Sequence, residues 1–186
     1  GALPMKVLAA RPLTDMPVFP MLNWNSSLIM VGRSGSVEVL KPGSCAPLCT
    51  GRVQLSGPQQ VSAVLLSGLV VVASSKNVGT WDLASAFLKR KVKVERAQSL
   101  PLPGQVCRTF LATDGKRWLG VPVCSSDGKC WVLVYEYVNG KNLRLRYKWG
   151  PFVEGNSPYL YVWCSGLSLF AGLANGHLRC LRLDTL

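Results

Sequence analysis

The side chains best suited to catalysis are few and scattered in this chain of 186 residues. It holds one histidine, His177, and nine acidic residues that do not cluster along the sequence. Acid–base or nucleophilic catalysis needs a base within reach of a second reactive group, and nothing local indicates such a pair. The glycine patterns that bind phosphates or dinucleotides are also missing. We therefore expect no enzyme activity and no cofactor.

The seven cysteines lack the spacing of a metal site or a disulfide framework. Cys45 and Cys49 form one close pair, Cys124 and Cys130 form the other, and there is no C-x-x-C. A structural zinc site needs four ligands at tighter spacing. The sequence predicts no metal and reduced, at least half-buried thiols, as in a cytoplasmic or nuclear protein.

Positive charge is the strongest binding signal, because 21 basic residues against nine acidic ones give a net charge of +12. Cations alternate with apolar residues in two segments, as on a strand with one wet face. The candidate binding patch consists of Lys89, Arg90, Lys91, Lys93, Arg96, Lys116, Arg117, Arg144, Arg146 and Lys148. Such a field favours an acidic or phosphorylated protein partner, with nucleic acid as the other option. Alternatively, these cations only form a solvent-exposed face that prevents an outer edge strand from pairing with other chains.

Two further expectations concern the side chains around these cations. On the second segment we expect Arg144, Arg146 and Lys148 to share one face, opposite Leu145, Tyr147 and Trp149. The tryptophans fall mostly within apolar strands, which predicts core packing for Trp24, Trp118, Trp131, Trp149 and Trp163. For Trp118, next to Lys116 and Arg117, stacking on a nucleic-acid base is an alternative.

The elements that must position these residues repeat four times along the chain. In each copy an apolar run meets a small turn and then a second, alternating run; the turns hold Gly35, Asn77, Gly128 and Gly176, which are 42, 51 and 48 positions apart. A hairpin repeat of roughly 40 to 50 residues is typical of a β-propeller. We predict a single all-β domain, a β-propeller or a portion of one. Its four units of four antiparallel strands should cover about residues 18–55, 61–95, 107–149 and 159–186.

Strand counting raises the question of closure. Residues 87–95 alternate and are expected to form the outer strand of the second unit. The last unit is one strand short, and residues 5–10 are a possible closing strand that would complete it and the ring. The alternative is that the four units belong to a larger propeller completed by further blades.

At the end of the third strand of the second unit, Trp81-Asp82 resembles the signature of a WD40 repeat. The units that end at residues 134–137 and 181–184 resemble degenerate copies. There is one Trp-Asp pair only, no Gly-His pair opens a unit, and His177 lies in the wrong strand. The family's hydrogen-bonded network is therefore not carried over, and Asp82 at most matches the repeat's aspartate. The resemblance implies structural roles for Trp81 and Asp82 and a protein–protein interaction scaffold within a larger complex.

Two other interpretations stay open. Thr80 is also suited to cap a helix over residues 80–92. With a second helix over residues 59–66, residues 57–95 would resemble the end of a BRCT repeat, a phosphopeptide-binding module. The other interpretation is a propeller that binds RNA or DNA phosphates through its basic strands. No run approaches the roughly 20 apolar residues of a membrane helix, so no membrane partner is expected.

Overall fold

The chain folds into four antiparallel β-sheets that follow one another along the sequence in a computed structural model. The structure describes residues 4, 6–7, 10–18, 20–56, 60–83, 86, 99–101, 104–106, 110–140, 142–152 and 160–186. Neighbouring strands are hairpin partners, as the repeated turns predict, and the all-β, propeller-type architecture with four blade-like units is confirmed.

The strands fall into four groups. The first sheet contains β1 (Leu22–Trp24), β2 (Ser27–Val31), β3 (Ser36–Leu40) and β4 (Pro47–Arg52). The second contains β5 (Gln60–Leu66), β6 (Leu69–Ser74), β7 (Asn77–Asp82) and β8 (Ser99–Pro101). The third contains β9 (Gln105–Val106), β10 (Ala112–Thr113), β11 (Trp118–Cys124), β12 (Cys130–Val138) and β13 (Asn142–Phe152). The fourth contains β14 (Tyr161–Ser165), β15 (Ser168–Gly172) and β16 (Leu178–Arg182), followed by a 3₁₀ turn over Leu183–Thr185.

The turns explain why glycine recurs at fixed places. Gly35, Gly128 and Gly176 all have φ between 82° and 89°, a region that side chains with a Cβ rarely adopt. Asn77, expected in the corresponding turn, is instead the first residue of β7. Its side-chain amide forms hydrogen bonds with the segment between the first and second sheets. Asparagine is therefore needed here for its hydrogen bonds and not for a positive φ.

Apolar side chains from adjacent sheets interlock in three layers. The first layer joins the first and second sheets through Ile29, Val37, Val70, Val72 and Trp81. The second joins the second and third sheets through Val71, Val78, Leu119, Leu133 and Tyr135. The third joins the third and fourth sheets through Trp118, Val132, Val134, Val162 and Leu169. The second and third sheets are thus covered on both faces, which is why every residue of β6 is buried.

The four sheets form an open arc rather than a ring. One edge strand of each sheet contacts the corresponding strand of the next sheet: β1 contacts β5, β5 contacts β10, and β10 contacts β14. Of the possible closing strand, Lys6, Val7 and Ala10 are described and lie outside strands; Met5, Leu8 and Ala9 are outside the described residues. Val7 lies in a shallow depression with Leu28 and Leu40 of the first sheet, not at the fourth.

The end of the second sheet contains a short strand that the sequence did not indicate. Ser99–Pro101 of β8 pair with Asn77, Val78 and Gly79 at the beginning of β7. The expected outer strand, residues 87–95, lies outside the described residues. Helical backbone begins only at Leu83, because residues 80–82 are held in β7 between two covered faces. Residues 60–66 form β5, so the BRCT-like interpretation with helices over residues 59–66 and 80–92 is wrong.

The cysteines also differ from expectation. Cys124 and Cys130 lie directly opposite each other on β11 and β12 and form a disulfide. Reduced thiols were therefore the wrong prediction for this pair, because a hairpin brings residues six positions apart into direct cross-strand contact. Burial raises the pKa of the free Cys49 and Cys164 thiols, so both favour the protonated form.

The chain before the first sheet is anchored by Asp15. One carboxylate oxygen accepts hydrogen bonds from the Ser34 backbone N–H at 3.0 Å, the Ser34 hydroxyl at 2.6 Å and the Ser36 hydroxyl at 2.7 Å. Partial burial raises the pKa of Asp15, but these hydrogen bonds lower it by more, so the pKa lies below its ordinary value. The N-terminal segment is thus tied to the β2–β3 turn in a way that depends on charge.

Acid should weaken this anchor. Because the folded-state pKa of Asp15 is lowered, its contribution to stability is present above the unfolded pKa and is lost as pH falls through the folded pKa. We expect Asp15→Asn to destabilise the protein at neutral pH and by less at pH 2, measured as melting temperature across that range. The double variant Ser34→Ala/Ser36→Ala should behave similarly. Parallel curves for wild type and Asp15→Asn would show that the carboxylate carries no pH-dependent contribution.

Candidate interaction surfaces

The predicted basic patch divides into two groups. Five of its members lie outside the described residues: Lys89, Arg90, Lys91, Lys93 and Arg96. The other five belong to the third sheet and are exposed: Lys116 and Arg117 in the turn before β11, and Arg144, Arg146 and Lys148 on β13.

A buried carboxylate gathers two of these cations. Glu136 on β12 is only 8% exposed, and the Arg117 Nε donates to its Oε1 at 2.7 Å. Its Oε2 lies 3.3 Å from the Arg146 Nε, and Arg146 also donates to the Leu186 carbonyl oxygen at 2.8 Å. Because Leu186 packs in the layer between the third and fourth sheets, this cluster ties the two sheets together. Arg117 and Arg146 therefore have a structural task within the chain.

An irregularity in β13 separates Lys148 from this cluster. Val134 pairs with Tyr147 but Tyr135 pairs with Leu145, so Arg146 is an extra, bulged residue. Residues directly opposite on neighbouring strands share a face, which places Leu145 and Lys148 on the face of Tyr135 and Leu133. Tyr147 and Trp149 share the other face, with Val134 and Val132. The expected separation of three cations from three apolar residues is wrong, since one inserted residue reverses the alternation.

Lys148 and Trp118 each take part in a cation–ring contact. The Lys148 Nζ lies 4.1 Å from the centre of the Trp131 ring, and the Arg117 guanidinium lies 5.1 Å from that of Trp118. Trp118 is only 4% exposed and packs between the third and fourth sheets. The alternative of base stacking on Trp118 is therefore wrong, because both core packing and an arginine already cover the ring.

We expect Glu136→Gln to lower the free energy of unfolding by about 1–2 kcal/mol, because it removes the charge that holds Arg117 and Arg146 close together. This is less than for a fully buried ion pair, since Arg117 remains largely accessible to water. Urea unfolding of wild type, Glu136→Gln and the exposed control Lys116→Gln measures the effect. Equal losses for the two variants would argue against a specific role for the cluster.

The Trp-Asp pair occupies two different environments. Trp81 is completely buried at the layer between the first and second sheets, and Asp82 is half-buried at the end of β7. Trp81 lies against Gly51 of β4, where a Cβ atom would be 2.5 Å from the indole Cε2. The close approach of ring and backbone requires glycine at that position.

The fourth sheet carries a surface that the sequence did not indicate. Its aromatic face, as we name it, consists of Tyr161, Trp163, Phe170, Leu178 and Cys180. Register places Trp163, Phe170 and Cys180 side by side in one row and Tyr161 beside Leu178, across Gly172, in the next. Trp163 is 73% exposed and Leu178 is 68% exposed. An exposed apolar patch on a sheet of an otherwise well-packed protein typically marks an interaction site.

Core packing was thus the wrong prediction for Trp163. Strands β14 and β15 are apolar on both faces, which normally indicates a strand covered on both sides. One face does pack, through Val162, Leu169 and Ala171 against the third sheet. The other face has no neighbour among the residues that the structure describes. The sequence signal for this surface was the apolar pattern on both faces of β14 and β15. It predicts that both faces are covered but does not identify what covers the second one.

The residues that the structure describes also bear on metal binding and membrane crossing. They contain no group of three or more His, Cys, Asp or Glu side chains positioned to hold a metal ion. No helix in the same ranges is long and apolar enough to cross a membrane.

The three-dimensional arrangement is similar to that of known propellers. Neither a protein-family model nor a curated protein sequence matches the chain. The C-terminal WD40 domain of Sif2 matches with a TM-score of 0.62 and 13% identity over 88% of this chain and 45% of that one. The Neurospora crassa Pan2 WD40 domain matches with 0.59 and 16% over 94% and 51%. The computationally designed Ika4 protein matches with 0.61 and 13% over 96% and 99%.

These similarities define the class of fold. The chain has a WD40-like, propeller-type repeat fold, and the resemblance predicted from Trp81-Asp82 and the hairpin period is confirmed at that level. The chain spans about half the length of the WD40 domains that it matches.

Proposed function

We propose that this chain is a non-enzymatic protein-interaction scaffold, a subunit or domain of a larger complex in the cytoplasm or nucleus. The observation that carries the proposal is the aromatic face of the fourth sheet. Exposing this apolar surface to water is unfavourable, and covering it with a protein partner would lower the free energy. The fold supports it, since the WD40-like neighbours are proteins whose class serves mainly as interaction scaffolds.

The net charge refines the proposal towards an acidic or phosphorylated partner. A charge of +12 attracts acidic surfaces over several ångströms and raises the association rate with them. Among the described cations, Lys116 and Arg144 are exposed. Arg144 lies directly opposite Glu136 on the neighbouring strand, whereas Lys116 lies in the turn before β11. Nucleic acid is the less favoured partner, because the cations of β13 are split between two faces and two of the arginines already bind Glu136.

Native size after nuclease treatment tests the proposal. The natural gene product is isolated from its own cells under mild salt, treated with DNase and RNase, and sized by light scattering. We expect a species well above the mass of the gene product alone, with other proteins at a constant ratio. Collapse on nuclease treatment would favour a nucleic-acid-binding propeller, and a particle without any protein partner would overturn the scaffold function.

The acidic character of the partner has its own test. The charge-reversal variant Lys116→Glu/Arg144→Glu should weaken the complex and reduce its sensitivity to salt, because both side chains are exposed. Since residue 144 lies directly opposite Glu136, the melting temperature of each variant is measured as well, which separates a loss of stability from a loss of binding. The neutral variant Lys116→Gln/Arg144→Gln is the control and should lie between wild type and the reversed charge. Identical salt dependence for all three proteins would rule out this part of the surface as the acidic partner's site.

A further inference from the structure

We propose that the aromatic face packs against another propeller-type β-sheet, supplied by a partner protein of the complex. This inference rests on the proposed scaffold function and names the surface and the kind of occupant. The inner sheets of this fold are covered on both faces. The second and third sheets each have one sheet on either face, and their buried rows are as apolar as the aromatic face.

The fit between neighbouring sheets shows what the missing cover looks like. Leu169 of the fourth sheet packs so tightly on Gly120 of the third that a Cβ on Gly120 would lie 3.3 Å from its Cδ1. Val132 and Val134 complete the layer, and both are fully buried. On the opposite face of the same fourth sheet, Trp163 and Phe170 stand in one row without such a layer among the described residues. An apolar sheet with a complementary row would continue the existing stack.

The strand count of the fourth sheet points the same way. The third strands β3, β7 and β12 are mostly buried, and each pairs with a fourth strand. The third strand of the last sheet, β16, is mostly exposed, and in the described part of the chain nothing pairs with its outer edge. An open strand edge beside an open apolar face is suited to pair and pack with more β-structure.

The length of the matched WD40 domains and the net charge of this chain indicate which polypeptide could supply that sheet. The chain matches about half of the Sif2 and Pan2 WD40 domains, so a ring of that size needs about as much again. A second copy would bring +12 towards +12, which opposes association. In a head-to-tail second copy, the outer side of the first sheet would also be a poor partner face, because Met30 and Leu40 there are already buried. Arg11 moreover binds Glu38 and the Cys45 carbonyl there.

Site-specific crosslinking in the native complex tests the inference. A photoreactive benzoylphenylalanine replaces Trp163 in the tagged natural gene product, and Leu48, exposed on β4 of the first sheet, is the control position. We expect crosslinks from position 163 to a strand-rich, hairpin-patterned segment of a partner protein. Position 48 should not reach that segment. Light scattering of the isolated 186-residue chain should show a monomer.

A pair of substitutions gives the quantitative test. Trp163→Ser should weaken the complex at least about tenfold, as expected for a buried aromatic anchor, while Leu48→Ser leaves the affinity unchanged. Both side chains are exposed in this chain alone, so neither variant should change its melting temperature.

The remaining outcomes would overturn the inference. Crosslinks to a second copy, with a dimer that Trp163→Ser dissociates, would identify self-association instead. Crosslinks to a helix, or no crosslink and no change in affinity, would show that the face has another occupant or none. In that last case an intact complex would leave the scaffold function standing, whereas loss of every protein partner would remove both proposals.

Discussion

Replacing Trp81 with alanine is expected to lower the free energy of unfolding by about 3–5 kcal/mol, the range for deleting a buried tryptophan or phenylalanine side chain. The ring is completely buried between the first and second sheets, within the layer that holds Ile29, Val37 and Val72. Gly51 leaves no side chain to fill the space that the ring vacates. The cavity should therefore persist, and its cost adds to the lost transfer free energy.

Urea unfolding followed by far-UV circular dichroism measures this effect, and Trp163→Ala is the matched control. Both variants delete the same side chain, but Trp163 is exposed, so its loss should change stability by no more than about 0.5 kcal/mol in the isolated chain. Gly51→Val should be destabilising for the converse reason, because its Cβ would meet the Trp81 ring. Equal stability of the two tryptophan variants would contradict the structural role of Trp81.

Asn77→Ala is expected to cost about 2–4 kcal/mol, because it leaves several buried polar groups without their partner. Asn77 is 2% exposed. Its Oδ1 accepts a hydrogen bond from the Ser56 backbone N–H at 2.7 Å and another from the Ser74 hydroxyl, and its Nδ2 donates to the Gln54 carbonyl at 3.2 Å. One amide thus fixes the path of the chain between the first and second sheets.

The exposed Asn23 on β1 provides the control, since Asn23→Ala removes the same group from a wet position and should change stability by less than about 0.5 kcal/mol. Thermal and urea unfolding of both variants decide the matter. A loss for Asn77→Ala no larger than for Asn23→Ala would mean that water replaces the buried partners at little cost.

The hairpins of this fold were predictable because their signals are local. Gly35, Gly128 and Gly176 need positive φ, and the apolar runs on either side have the period of strands. The second unit was predictable up to β7 and no further. Beyond it, residues 99–101 pair with the beginning of β7, a tertiary pairing that alternation does not record, and the predicted strand over residues 87–95 lies outside the described residues.

The surfaces were harder to predict, because they depend on one-residue details and on neighbours distant in sequence. The bulge at Arg146 reverses the alternation of β13, and nothing in the local pattern announces it. The convergence of Arg117 and Arg146 on Glu136 joins residues from one turn and two strands and requires the register of the sheet. Trp163 shows the opposite failure: its pattern is that of a buried residue, and only the missing neighbour leaves it exposed.

The stack of sheets has a kinetic consequence. When each sheet contacts only its neighbours, stability is roughly a sum of the sheets' own free energies and of the interfaces between them. The second and third sheets have two interfaces each, and the first and fourth have one each. Of the two end sheets the fourth has fewer strands, so local opening should begin there, where the amide hydrogens of β16 exchange with solvent fastest and those of β6 slowest. A cover on the aromatic face would slow exchange there first, so the order in which amides lose protection reports how much of the stack is present.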